Sequence, residues 1–412
     1  MPLEESYESL GVIADALYGD VYKLRNRRTR EFVACKRVEL AYAAAHRTKD
    51  TLRAIEEDIF TEVQTNLKIR ALGGHENIVE MVDCIAEETT VSLLTEFCDA
   101  GELLDVINAR GTLLEIDEVL RYFYQILSAV DFIHRNGVAH RDLSLENVLV
   151  DSKDNCKLSD FGMSTTQTVV AATGVGKVHY MAPEAIRVSG DLYNPFRSDI
   201  WSLGVIFFTL LVGQYPFSEP VPEDAQFRLL ETLGVEFLLE RCDFETYGQE
   251  DLVDLLKQML VMDPRERASA STLLAHPCFA QLKIENDSEL ETEDEDMEEV
   301  DATINPAHDK LALAIWAPMK MLPSMSMAAS YMLRRPAPIN TSCHSSCAFV
   351  APTKSGRQNS ARQKEERAAR NPFYQRLSRR RRRSPKPQRS FALRAVFDGV
   401  FRWKKPSSTT MT

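Results

Sequence analysis

Residues 139–150 read AHRDLSLENVLV. Val138 and Ala139 lead into a polar stretch, and Val148, Leu149 and Val150 lead out of it, so the pattern predicts a reactive loop held between two buried anchors. Within the loop, Asp142 and Asn147 are spaced so that a tight turn aims a carboxylate at a substrate hydroxyl and an amide at a metal ion.

Downstream of the loop lie Lys157-Leu158-Ser159-Asp160-Phe161-Gly162, where an apolar approach delivers Asp160 next to a glycine, and then Tyr180-Met181-Ala182-Pro183-Glu184. Asp199-Ile200-Trp201-Ser202-Leu203-Gly204 follows, and later Asp263-Pro264 with Arg267. Upstream, residues 7–38 alternate short apolar runs with turn and charge clusters, which predicts a β-meander. Its first two strands meet at Ala14-Asp15-Ala16-Leu17-Tyr18-Gly19-Asp20-Val21, and Val33-Ala34-Cys35-Lys36 follows, with Lys36 set between Ala34 and Val38. Leu52, Ile55, Ile59, Val63 and Leu67 recur at helical spacing and predict a helix over 50–72, with Glu62 on it. Val91-Ser92-Leu93-Leu94-Thr95-Glu96-Phe97-Cys98 reads as an apolar strand, and Gly101-Glu102-Leu103-Leu104-Asp105 as a helix start.

Taken in order, these stretches resemble the eukaryotic protein kinase family of the serine/threonine type. His140, Arg141, Asp142, Leu143 and Asn147 match its catalytic loop, and the resemblance runs over residues 7–282. It implies an α+β, two-lobed protein kinase fold, with a small mainly β lobe over about 7–97 and a larger mainly α lobe over about 98–282. It also implies an ATP:protein phosphotransferase using ATP and Mg²⁺, with Asp142 as catalytic base, Asn147 and Asp160 on the metal, and Lys36 on the phosphates. Glu62 is the chosen partner of Lys36; Thr65 fits an ungapped count but cannot form an ion pair, and Glu56, Glu57 and Glu62 all also suit a solvent face. An insertion in the loop ending Leu72-Gly73-Gly74 would absorb the extra residues before His75-Glu76-Asn77-Ile78-Val79.

The nucleotide site implied by the resemblance takes in Ala14, Ala16, Gly19, Val21 and Ala34, with Thr95 as gatekeeper and Glu96 and Cys98 in the hinge. A small gatekeeper leaves a back pocket open. Glu102 matches a position that meets ribose or a basic substrate residue, although an acid in a first helical turn also favours the helix dipole. Asp199 reads as an anchor for the catalytic-loop backbone and Glu184–Arg267 as a buried ion pair. Arg141 pairs in this family with a phosphorylated activation segment, for which Ser164, Thr165, Thr166, Thr168 and Thr173 are candidate acceptors, Thr173 foremost.

Four positions depart from the family pattern. Ala14 and Ala16 stand where glycines would let backbone N–H groups approach phosphates. Ser144 occupies the place of the catalytic-loop lysine, and Lys177, in Gly176-Lys177-Val178-His179-Tyr180, occupies the place of a threonine. The paired anomalies predict an exchange, Lys177 bringing the charge and Ser144 bonding towards Asp142. A pseudokinase scaffold that recruits partners through its tail is the alternative reading.

Of 412 residues, 44% are hydrophobic, enough for at least one large core. The net charge of −12 is unevenly spread: residues 301–412 hold 22 Lys/Arg against 5 Asp/Glu, a local +17, so the first 300 carry −29. An acidic body argues against nucleic acid as the kinase domain's partner and favours protein substrates with basic residues near the acceptor. The acidic N-terminus has no apolar core of a leader, the eight cysteines form no paired metal motif, and the apolar stretch 311–333 is broken by Pro318, Lys320 and Pro323. These features predict an intracellular, cytoplasmic protein without a transmembrane segment. Residues 283–301 read as an acidic linker and 302–390 as a basic, low-complexity, disordered tail whose 379–386 run suits a nuclear import signal, an RNA or anionic-lipid patch, or an intramolecular partner for the acidic linker. Residues 391–405, FALRAVFDGVFRWKK, read as a basic amphipathic helix suited to a calmodulin-like or anionic membrane partner, or equally to docking on the kinase body itself.

Overall fold

Residues 7–39 form the expected meander: β1 Tyr7–Ala16, β2 Gly19–Asn26 and β3 Phe32–Glu39 pair antiparallel in turn. Asn26 makes the β2–β3 turn by accepting from the Arg28 and Thr29 amides at 2.9 and 3.1 Å. β4 Met81–Ala86 and β5 Thr90–Glu96 complete a five-stranded sheet ordered β1-β2-β3-β5-β4. This is a computed structural model, and it describes residues 3–16, 19–44, 57–174, 176–186 and 190–282.

Strand alternation decides which side chains of β3 meet the cleft. Val33 and Cys35 pack with Leu24, Leu94, Leu3 and Tyr7 in one buried cluster, whereas Val38 packs with Ile59, Met81, Val91 and Leu93 in another. Lys36 shares the second face and so points towards the following helix. Gly19 is required by sheet packing, since a Cβ there would land on the Arg37 carbonyl oxygen of the neighbouring strand.

The helix expected over 50–72 spans Ile59–Ala71. Its first turn is set by Asp58, whose carboxylate accepts from the Phe60 and Thr61 amides at 3.1 and 3.2 Å, so Glu57 lies before the cap and outside the helix. Leu52 and Ile55 fall outside the described residues. Left-handed Gly73 and Gly74 end the helix, with φ of 95° and 74°, in the loop where the sequence placed its extra residues.

In the large lobe, helix Ile116–Arg135 buries Val119, Tyr122, Phe123, Ile126, Leu127 and Val130 and carries a Glu115–Glu118 capping box. Helix Pro195–Val212, capped by Asn194 and ended by Gly213 at φ 71°, is buried on nearly every side. By length and composition its 18 residues could cross a membrane, but 89% of it is buried, as befits a core helix. Among the described residues the cysteines are free thiols. The acidic linker, the basic tail and the 391–405 amphipathic segment all lie outside the described residues.

Candidate active site

The catalytic-loop residues are placed by backbone hydrogen bonds to a buried carboxylate. Asp199, from the core helix, accepts the His140 amide at 2.8 Å and the Arg141 amide at 2.9 Å, with His134 also at 2.9 Å. This holds Arg141 in a left-handed conformation, φ 70°, and Asp160 takes a similar one at 63°. Each costs about 1–3 kcal/mol, which the surrounding packing must offset. The side chain of His140 packs at a tilt 5.0 Å from Phe161 and reaches the Ser159 carbonyl at 3.0 Å, tying the loop to the Asp160 turn.

Asn147 braces Asp142 directly. Its Nδ2 donates to the Asp142 carbonyl at 2.7 Å and to Oδ2 at 2.8 Å. Lys177 also reaches Oδ2, at 3.3 Å, so among the described residues both donors converge on one oxygen and leave Oδ1 for another ligand. The Lys177 ammonium lies 2.8 Å from Ser144 Oγ and 2.9 Å from Asn147 Oδ1. The two departures, 33 positions apart in the chain, are therefore in contact.

Lys36 meets Glu62 at 2.8 Å, as the sequence predicts, and Asp160 at 3.6 Å. It also meets Glu57 at 2.7 Å, a residue that the sequence reading did not choose as its partner. The Asp58 cap turns Glu57 inward: the Asp58 amide donates to the Gly162 carbonyl at 2.9 Å, and a Cβ on Gly162 would collide with Glu57 Cγ. An acid one residue before a capping aspartate was the available signal, obscured by extending the helix through it. Thr65 is buried and shares a 2.8 Å hydrogen bond with Ser164, so Ser164 is withdrawn from the accessible phosphoacceptors while Thr173 is exposed.

Burial shapes the charges here. It disfavours the Lys36 ammonium, but Asp160, Glu62 and Glu57 outweigh it and hold the group well above its ordinary value. Burial pushes Glu62 up to about 7 despite Lys36, and raises Glu57 as well, aided by the nearby Asp160 charge. Asp160, opposed by burial, is kept below the usual carboxylate range chiefly by Lys36, then by His140 and Lys177.

These groups open on a cavity of about 550 Å³ lined by Ala14, Val21, Ala34, Lys36, Thr95 and Cys98, with Glu102, Asn147 and Asp160 at its lower wall. Asn66, Val79 and Phe161 are also among its lining residues. Gly19 is not on its wall, and the side chain of Ala16 lies outside the described residues. Glu96 lines the cavity, but its amide goes to the Glu80 carbonyl at 2.9 Å and its carboxylate to the Glu80 amide at 2.8 Å and Lys157 at 2.9 Å. The Glu96 side chain thus braces the hinge. Burial, then the Asp105 and Glu146 charges, raise Glu102, marking an acidic edge beside the cavity. Glu184 and Arg267 form the expected pair, with contacts of 2.6 and 2.9 Å.

Residues 7–279 match the family model described as a protein kinase domain. The chain is 35% identical over 232 residues to "Serine/threonine-protein kinase GIN4" of Saccharomyces cerevisiae, covering 55% of this chain and 19% of that protein. It is 35% identical over 222 residues to "CBL-interacting serine/threonine-protein kinase 2" of Arabidopsis thaliana, covering 53% and 45%. Identity to a "Probable serine/threonine-protein kinase" of Dictyostelium discoideum is 30% over 274 residues, covering 66% and 51%. The chain thus spans about half the length, or less, of these relatives. With that match laid over the Lys36–Glu62 pair, the Asp142 loop and the Asp160 turn, the chain belongs to the protein kinase family.

Proposed function

We propose that this chain transfers the γ-phosphate of ATP to serine or threonine hydroxyls of proteins. One observation carries the reading: Lys36, Glu62, Asn147 and Asp160, spread over more than a hundred positions, line one cavity, with Lys36 in contact with Glu62 and Asp160, and Asn147 in turn holds Asp142 at 2.8 Å. Lys36, fixed by Glu62, engages the phosphates. Asp142 accepts the substrate proton through Oδ1 while Asn147 holds the opposite oxygen. Asn147 Oδ1 and the Asp160 carboxylate are hard oxygen donors that suit Mg²⁺, which supplies charge neutralisation at the phosphates when bound.

Glu102, Asp105 and Glu146 favour acceptor sites flanked by arginine or lysine, because mutual repulsion among the three acids is relieved by a cation. Leu145-Glu146 stand where tyrosine-directed relatives carry an arginine, which supports serine/threonine acceptors. A scaffold released from catalysis has no physical need for all five groups in register.

The test is transfer from labelled ATP with Mg²⁺ to an arginine-flanked serine peptide by the full chain, beside Asp142→Asn. Labelling by the wild type that falls by about a thousandfold or more in the variant supports the reading; equal labelling, or none in either, overturns it.

A further inference from the structure

Phosphoryl transfer spreads negative charge over the moving group, and a fixed cation beside it is worth most in a cleft that excludes water. Asp142-Leu143-Ser144-Leu145-Glu146 supplies no cation. Arg141 turns away, its guanidinium reaching the Met163 carbonyl at 3.2 Å and Tyr193 at 3.4 Å. Lys36 is held among three carboxylates at the upper wall. Lys177 is different: its ammonium lies in contact with Asp142 itself.

We infer that Lys177 is a catalytic residue, delivering from the activation segment the positive charge that stabilises the transferring phosphate, and that Ser144 is the positioning residue that seats it. An ammonium has three donors, and Lys177 finds three oxygens: Ser144 Oγ, Asn147 Oδ1 and Asp142 Oδ2. Ser144 is fully buried, so a lysine there would set two ammonium groups against each other, whereas a hydroxyl leaves room and accepts. The Asn147 Oδ1 contact is the exchangeable one, because Asn147 keeps its place through Nδ2. The inference rests on the kinase reading above. In the step, the acceptor hydroxyl's proton passes to Asp142 and its oxygen bonds to the γ-phosphorus. The bond from that phosphorus to the bridging oxygen breaks, its electron pair leaving with ADP. Lys177 transfers no proton; it balances charge.

The location has a consequence. Lys177 precedes a tight turn, Val178–Tyr180, in which the Tyr180 amide donates to the Lys177 carbonyl at 2.9 Å. Tyr180 hydroxyl accepts from the Leu145 amide at 3.3 Å and donates to Glu146 at 3.1 Å. The catalytic charge is thus seated only when the activation segment is stitched to the catalytic loop, and turnover is coupled to that seating.

The experiment measures kcat, KM for ATP and the affinity for a fluorescent ATP analogue in the full chain. Lys177→Met is expected to lower kcat by about a hundredfold or more while analogue affinity stays within about threefold. The relocated pair, Ser144→Lys with Lys177→Thr, is expected to recover at least about tenfold over Lys177→Met. If that pair has lost analogue binding, Lys177→Arg decides, since it keeps the charge: activity about tenfold or more above Lys177→Met supports the inference, and less overturns it. Lys177→Met turning over within about threefold of wild type overturns it, as does a relocated pair that binds nucleotide and is no faster. Failure of the kinase reading is distinct, since there the wild type and Asp142→Asn label equally or not at all, and the inference falls with it.

Discussion

Three carboxylates face the Lys36 ammonium, and only one net charge is needed to balance it. The surplus has a pH signature. Glu62, raised to about 7 from an ordinary 4.5, binds a proton more tightly folded than unfolded. The stability this contributes is full below the unfolded value and is lost as pH rises through the folded one. Between pH 5 and 7.5 the urea unfolding free energy of the wild type should fall relative to Glu62→Gln by on the order of 1–3 kcal/mol; parallel pH profiles would contradict it. Glu57 tells a second story at this scale, because its charge sits 2.7 Å from the amine that ATP phosphates would share. Glu57→Gln should lower KM for ATP by about two- to tenfold, as one repelling charge is removed, and Glu62→Gln should raise it; steady-state kinetics over ATP concentration reads both. Glu62 was legible from its helical position, whereas Glu57 was not, since periodicity does not report where a cap turns the chain.

The β1–β2 hairpin and the helix Ile59–Ala71 bracket the cavity, and each departs from expectation for a local reason. The hairpin keeps Gly19 because a neighbouring carbonyl leaves no room for a Cβ, while Ala14 lines the cavity in a strand pairing with Val21. The methyl group of Ala14 limits how closely that backbone can approach a phosphate. Restoring glycine at both, Ala14→Gly with Ala16→Gly, should lower KM for ATP by about two- to fivefold and change kcat by less than about twofold. An unchanged KM would show that the hairpin backbone does not engage phosphate. The helix begins at Ile59, later than its apolar spacing suggested, because the Asp58 carboxylate captures two amides there. Strands were readable by alternation and helices by period; boundaries were decided by capping residues such as Asp58.

Across the molecule, Arg267 and Glu184 are joined over 83 positions, with the guanidinium side chain fully buried and also bonded to the Val261 and Arg197 carbonyls at 2.9 Å. Arg267→Met leaves Glu184 and two carbonyls without their donor and should cost about 3–5 kcal/mol of large-lobe stability, read as a lower urea midpoint; a loss under about 1 kcal/mol would contradict it. The ordered motifs, the two lobes and the candidate positions Lys36, Asp142, Asn147 and Asp160 were legible in the sequence alone, because turn residues, hydrophobic period and motif order are local properties of a chain. Even the Ser144–Lys177 anomaly was visible there as two misfits. Only the tertiary structure decided that those misfits touch, that Glu57 joins Lys36, that Ser164 is spent on Thr65 and that Gly19 serves the sheet. Each of these is a distance between residues brought together by packing and caps, and spacing along a chain does not encode such a distance.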